Sequence, residues 1–137
     1  MKTFGVLQVV ASSLEAQRQR MNTIVSNMAN VHTTRTENGE PYRRKDLLFE
    51  VQEIEAGNEL LEGVKVAGVI NDNSPFKVVY DPGHPDADQN GFVRLPNVEV
   101  LEEMVNMLMT FRAYEASITA FNTTKGMFIK LLELGRV

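Results

Sequence analysis

The sequence predicts an α+β fold in which two long terminal helices pair as an antiparallel, coiled-coil-like hairpin around a small, irregular β-rich middle module. Three observations carry this expectation. Apolar residues recur at alternating spacings of three and four near both ends, and all five prolines fall in the interval between them. Short runs of alternating apolar residues, bounded by turn-forming residues, fill that interval. The 3-4 rhythm is helical, and the period of two is that of strands with one covered face. The implied division is a helical unit made of residues 1–30 with 97–137, and a β-rich insert over 31–96.

The amino segment reads as helix from about Thr3 to about Asn30, roughly 40 Å at 1.5 Å per residue. Phe4, Leu7, Ala11, Leu14, Met21, Val25 and Met28 form its seam, which only Arg18 interrupts. No proline and a single glycine, Gly5, lie within it. Asn30 suits a left-handed helix end, and Val31 to Thr34 then brings β-branched residues that favour extended chain.

In the middle, Asn38-Gly39 has the form of a hairpin turn. The apolar runs are Leu47, Phe49, Val51; Val64, Val66, Gly68, Ile70; Phe76, Val78, Tyr80; and Phe92 with Val93. They predict three or four short strands, too few to stand without the helices or neighbours to cover them. After Pro96, Asn97 is the expected N-cap, and Glu99, Glu102 and Glu103 suit the positive end of a helix dipole. Leu101, Met104, Leu108, Phe111 and Ile118 then carry the carboxyl seam, which Ile129 and Leu132 rejoin after the polar positions Asn122 and Lys125. Lys130 and Gly135 close the helix, with Gly126 a weak point inside it.

Composition narrows the function. The formal charge of −4 gives no footprint for nucleic acid, and Tyr42-Arg43-Arg44-Lys45 is too short to reverse that, so this cluster is expected to be solvated surface. Cysteine is absent, which removes disulfides, thiolate metal sites and cysteine nucleophiles together. Seven methionines without tryptophan suit adaptable helix contacts. No stretch approaches the ~20 apolar residues of a membrane span. The first residues lack the pattern of a cleavable secretory signal, because Gln8 and Ser12-Ser13 break any apolar block.

Candidate sites are few. From Asp86, a calcium-loop pattern matches at Asp88, Asn90, Gly91 and Val93 but fails at Asn97, where a bidentate Glu is needed. Asp and Asn beside Gly and Pro otherwise build turns. His84 crowds one loop with Asp81, Asp86 and Asp88, His32 has no ligand nearby, and nucleophile elbows and phosphate-cradling loops are missing. The chain is therefore read as no enzyme, with no cofactor. Asn27 and Asn30 either face solvent at a fraying helix end or bond across helices to fix register between subunits, and the second reading is preferred. Arg18 either snorkels outward or pairs with an acidic residue such as Glu115.

Several blocks resemble a known family. Ser12-Ser13-Leu14-Glu15-Ala16-Gln17, Ser26-Asn27-Met28-Ala29-Asn30 and Thr33-Thr34-Arg35-Thr36 resemble the amino-terminal motif of the flagellar basal-body rod and hook proteins. Gly39 to Arg44, Tyr80 to Asp88, Gly91-Phe92-Val93, Pro96-Asn97-Val98, Glu103-Met104-Val105, Arg112 to Ala116 and Leu132 to Arg136 extend the likeness along nearly the whole chain. Ser13 stands where the family has glycine, and Ser117 where it commonly has asparagine. The Asp-Pro-Gly-His-Pro and Pro-Asn-Val blocks favour the proximal rod branch.

The resemblance implies export without cleavage by the flagellar type III apparatus and helical self-association into the periplasmic rod, the drive shaft of the basal body. Implied partners are further copies, other rod proteins and the ring-to-rod adaptor FliE. Seams and resemblance together nominate an assembly interface of Leu7, Ala11, Leu14, Met21, Val25, Asn27, Met28 and Asn30 on the first helix. On the second it comprises Leu101, Met104, Leu108, Phe111, Tyr114 and Ile118. The alternatives are a calcium-binding regulatory module and a cytoplasmic coiled-coil adaptor.

Overall fold

The computed structural model describes residues 2–136, with the side chains of residues 2 and 3 left aside. Helix α1 spans Lys2–Ala29 and helix α2 spans Val100–Leu134. Between them lie strands β1 (Lys45–Ala56), β2 (Glu59–Asn71), β3 (Lys77–Tyr80) and β4 (Phe92–Leu95). The pairs β1–β2 and β3–β4 form separate two-stranded antiparallel sheets. All four apolar runs fall in strands or at their borders, so the α+β reading holds.

The β1–β2 hairpin is longer than its apolar residues suggest, because Glu53, Glu55, Glu59 and Glu62 carry the strands on past them. It turns at Gly57-Asn58, where Gly57 takes φ +69° and no non-glycine residue among those described has positive φ, as a type II′ turn requires. Ala67 has no partner in the ladder between the Leu48–Gly68 and Phe49–Val66 pairs, a one-residue bulge. Asn38-Gly39, expected to join strands, instead closes a tight turn in the α1–β1 connection, with Gly39 N–H donating to the Thr36 carbonyl.

The hairpin lies along α1. Its tip meets the start of the helix, where a Cβ on Gly5 would fall 2.5 Å from that of Ala56. Midway, Ser12 Oγ donates to the Val9 carbonyl at 2.6 Å and accepts from Val64 N–H at 3.1 Å. At the hairpin base, Asn27 donates to the Lys45 carbonyl and accepts from Lys45 N–H, at 2.8 and 3.0 Å. On another face of α1 runs α2, antiparallel as expected. Phe4 meets Phe128 edge to face at 5.3 Å, and Ser13 Oγ lies 3.1 Å from Ser117 Oγ.

Helix ends depart from expectation. No non-glycine residue among those described has positive φ, so Asn30 is not a left-handed cap; its amide donates to the Ser26 carbonyl at 2.8 Å. Glu99, not Asn97, occupies the N-cap of α2 and makes no side-chain cap bond. Asn97 is drawn away by the hairpin base, accepting from Arg44 N–H at 2.7 Å and donating to the Asp72 carbonyl at 3.0 Å. Gly135 caps α2 in right-handed geometry, and Lys130 lies just before the last turn. Gly126 sits in unbroken helix with open space beside it, so it marks no close contact within the chain.

Among the described residues the buried hydrophobic set is Ala16, Ile24, Tyr42, Ala56, Val93 and Val98. Four of these six are alanine or valine, a thin interior for a chain of this length. Much of the apolar surface therefore faces outward.

Candidate assembly interface

The face of α2 that covers α1 is Glu103, Met107, Thr110, Tyr114, Ser117, Phe121, Thr124 and Phe128, all buried or half-buried. These residues keep a strict 4-3 alternation, as an antiparallel helix pair needs. The apolar row expected to do this lies one step round the helix. Leu101, Met104, Leu108, Phe111 and Ile118 are exposed, Leu101 by 78% and Leu108 by 52%. The expectation that the two apolar seams pack on each other is thus corrected. Small and polar side chains at Thr110, Ala113 and Ser117 let the backbones approach, which leaves the bulkier row on the outside.

The seam of α1 is divided. Leu7, Leu14, Met21 and Met28 are half-buried, whereas Ala11 and Val25 are exposed. Val25, Met28 and Ala29 join Met104 and Met107 in an open apolar groove of about 590 Å³ between the helices. Tyr114 is half-buried against α1.

Asn27 does not serve a neighbour. It is fully buried, and besides the Lys45 backbone it accepts from Tyr42 Oη at 2.8 Å, so its amide is occupied within the chain. Asn30 is likewise engaged locally, accepting from Thr33 Oγ1 at 3.0 Å. Arg18 pairs with an acidic residue, but with Glu15 rather than Glu115. It reaches back to Glu15 at 2.9 Å on the exposed face, and Glu15 lies one turn away while Glu115 does not meet it. The bonds from Arg18 hold the Glu15 carboxyl below the usual carboxylate range.

The basic cluster is structural and not merely solvated. Tyr42 is buried, and Arg43 stacks on Phe76 at 4.3 Å while donating to the Asp72 and Ser74 carbonyls. Arg44 pairs with Glu103, whose side chain is wholly buried, with Asp46 and Asp72 at 3.5 and 3.7 Å. Burial works against the Arg44 charge, but the Glu103 hydrogen bond and the three carboxylates outweigh it and raise its pKa. Glu103 therefore acts as the ion-pair partner that ties α2 to the base of the hairpin, a role its place near the helix start did not reveal.

The Asp81–Gly91 stretch forms a closed loop between β3 and β4, held by Asp81 N–H to the Gly91 carbonyl at 2.9 Å. Asp88 Oδ1 accepts from Asn90 and Phe92 N–H, and His84 Nδ1 accepts from Asp86 N–H. Asp86 accepts from Thr34 Oγ1 at 2.6 Å and pairs with Arg35 at 2.7 Å. The Thr34 hydroxyl, aided by Arg35, holds the Asp86 carboxyl below its ordinary value. These bonds pin the loop to the segment after α1, and the calcium pattern is a set of turns. Among the described residues no three His, Asp or Glu gather as a metal site.

The two departures from the family pattern, Ser13 and Ser117, meet each other across the helix pair. Ser117 thus serves a contact inside the chain.

Comparison with known proteins agrees with this architecture. Residues 89–134 match the family model described as flagellar basal body rod FlgEFG protein C-terminal. The chain is 43% identical to the flagellar basal-body rod protein FlgC of Salmonella typhimurium, over 99% of this chain and all of that one. It is also 43% identical to FlgC of Bacillus subtilis over the same shares, and 40% identical to FlgC of Borreliella burgdorferi over 98% of each. No helix is long and apolar enough to cross a membrane among the described residues. A likeness of this level over the full length of both chains establishes that the chain belongs to the FlgC family of flagellar basal-body rod proteins.

Proposed function

We propose that this chain is a structural subunit of the proximal rod, polymerising helically into the shaft that transmits torque through the basal body. The observation that carries the reading is the apolar outer row of α2, Leu101, Met104, Leu108, Phe111 and Ile118, which no element of the chain covers among the described residues. Exposed apolar area of this extent favours association, and a contact between unlike surfaces repeats without closing, as a filament requires. Residues 1–30 with 97–137 then act as the assembly unit, and 31–96 presents contacts to outer neighbours. Partners are further copies, other rod proteins and the adaptor FliE, with export through the flagellar type III apparatus and without a cleaved signal into the periplasmic rod. The work is mechanical and no reaction is assigned.

The test is the double variant Leu101→Glu/Leu108→Glu in a strain lacking the wild-type chain. Both side chains are exposed, so the purified variant keeps its helix content. The expected outcome is loss of swimming and absence of the variant from purified basal bodies. Normal motility with the variant present in the rod would contradict the reading.

A further inference from the structure

The sequence holds two Asn-Gly links, Asn38-Gly39 and Asn90-Gly91, and the fold closes them by different means. Asn-Gly is the link most prone to spontaneous deamidation, because glycine has no side chain to crowd the attack of its nitrogen on the asparagine amide. Each attacking nitrogen is engaged as a donor, Gly39 N–H to the Thr36 carbonyl at 2.8 Å and Gly91 N–H to the Asp88 carbonyl at 3.0 Å. The difference lies in what keeps those bonds closed. Around Asn38 the restraints are local. Thr36 N–H and Oγ1 both donate to the Glu40 carbonyl at 2.8 Å, residues 37–40 are exposed, and a Cβ on Gly39 would meet nothing within 4 Å. Among the described residues, no hydrogen bond of residues 37–39 reaches beyond this turn. Around Asn90 the restraints are tertiary. Gly91 is buried, its carbonyl accepts from Asp81 N–H at 2.9 Å, and a Cβ on it would fall 2.9 Å from the Tyr80 ring. Asn90 N–H donates to Asp88 Oδ1 at 2.9 Å, and Asp86 anchors the same loop to Thr34 and Arg35.

We infer that Asn38 is a site of spontaneous covalent modification in the folded protein, whereas Asn90 is modified only when the β3–β4 sheet comes apart. In the reaction Gly39 N–H gives its proton to solvent, and the nitrogen attacks Asn38 Cγ. A bond forms between them, the Cγ–Nδ2 bond breaks, and Nδ2 takes up a proton and leaves as ammonia. Water then opens the succinimide ring at either carbonyl, giving aspartate or isoaspartate; nothing is oxidised or reduced. The attack needs the 36–40 turn to open, and opening an exposed turn costs far less than separating a paired, anchored sheet. The product places a carboxylate in the cleft that Asn38 shares with Glu40, Arg43 and Lys45, on the segment joining α1 to β1. The bonds from Tyr42 N–H to the Thr33 carbonyl and from Tyr42 Oη to Asn27 lie outside the turn, so the fold survives the change.

The inference stands apart from the rod reading, because the purified chain tests it alone. Full-length protein is incubated at mildly alkaline pH, folded and in urea, and mass-spectrometric peptide mapping follows both asparagines over time. In the folded chain Asn38 should convert at least ~10-fold faster than Asn90, since local opening is the cheaper route, and in urea the two rates should converge. Aspartate and isoaspartate should both appear at position 38. Equal rates in the folded chain, a faster Asn90, or an Asn38 that reacts only in urea would overturn the inference. Aspartate without isoaspartate would mean direct hydrolysis and overturn the route through Gly39. Asp88→Ala removes the acceptor of the Asn90 and Phe92 N–H groups, so it should speed conversion of Asn90 and leave Asn38 unchanged. An unchanged Asn90 in a folded variant would overturn the tertiary restraint. If that variant does not fold, the wild-type rates in water and in urea decide.

Discussion

Arg44 and Glu103 show how much of this fold depends on a few polar side chains. The Glu103 carboxylate is fully buried, and one of its oxygens has no hydrogen-bond partner, so its charge is balanced chiefly by the Arg44 guanidinium. Removing one partner of a buried pair costs about 3–5 kcal/mol, because the other charge is left uncompensated. Arg44→Ala should therefore lower stability by about 3 kcal/mol in urea unfolding; a change under ~1 kcal/mol would show that the pair is dispensable. Asn27→Ala should cost about 1–3 kcal/mol, since the Lys45 backbone and Tyr42 hydroxyl lose their partner in a dry setting. Neither role was legible beforehand. Asn27 stood out as a poor helix former, but its partner is a backbone segment 18 residues away, and periodicity carries no information about such a pairing. Arg44 read as part of a charged run because nothing local shows that Glu103 lies opposite.

Acid sensitivity belongs to the same scale. Asp86, through Thr34 and Arg35, and Asp72, through the Ser74 hydroxyl and N–H, both sit below the ordinary aspartate pKa of about 3.9. A carboxylate with a depressed folded-state pKa adds stability above its unfolded value, and that share is lost as pH falls through the folded one. Stability should thus decline as pH drops below about 4, and Asp86→Asn should flatten the decline. Urea midpoints between pH 5 and pH 3 measure this; an unchanged slope in the variant would remove Asp86 from the account.

At the scale of elements, the close approach of the hairpin to α1 depends on two glycines, one at its tip and one midway. A Cβ on Gly5 would meet the Ala56 Cβ at 2.5 Å, and one on Gly63 would meet Ser12 Oγ at 2.7 Å. Gly5 has no side chain to move, and neither does the Ala56 Cβ opposite. Gly5→Ala should therefore push the tip away and cost about 1–3 kcal/mol as overpacking, although alanine is the better helix former. Faster proteolysis at Gly57-Asn58 would report the displacement; unaltered cleavage and stability would mean the tip yields freely. The helices were legible because long periodic segments speak for themselves. The hairpin was legible only at its base, where apolar alternation is clean. Its glutamate-rich distal half lacks that signal, and the Gly57-Asn58 pair was the overlooked turn. Asn38-Gly39, the better-known turn pattern, fell in a loop because Pro41 and the buried Tyr42 follow it too closely for a strand.

For the whole molecule, the 3-4 rhythm of α2 foretold a helix with an apolar row but not which row would face α1. Leu101, Met104, Leu108, Phe111 and Ile118 form the more hydrophobic stripe, yet the intramolecular contact uses Glu103, Thr110 and Ser117. A chain built to fold alone would bury the greasier stripe. Leaving it outside fits a subunit whose second covering layer comes from its neighbours, and the assembly residues on α2 were thus read correctly as apolar row and wrongly as the row that meets α1. The isolated chain should accordingly expose its terminal helices to protease, with the exposed stripe binding a hydrophobic dye.

The most direct measurement is oxidative footprinting of the methionines in the free chain and in purified basal bodies. Met104, Met109 and Met127 are exposed by 53%, 63% and 62% on the outer side of α2. They should oxidise rapidly in the free protein, and Met104 should become protected in the rod by at least ~10-fold, the ratio that a contact of about 1.4 kcal/mol produces. Equal oxidation of Met104 in both states would show that no neighbour covers this face, and the assembly account would not survive it.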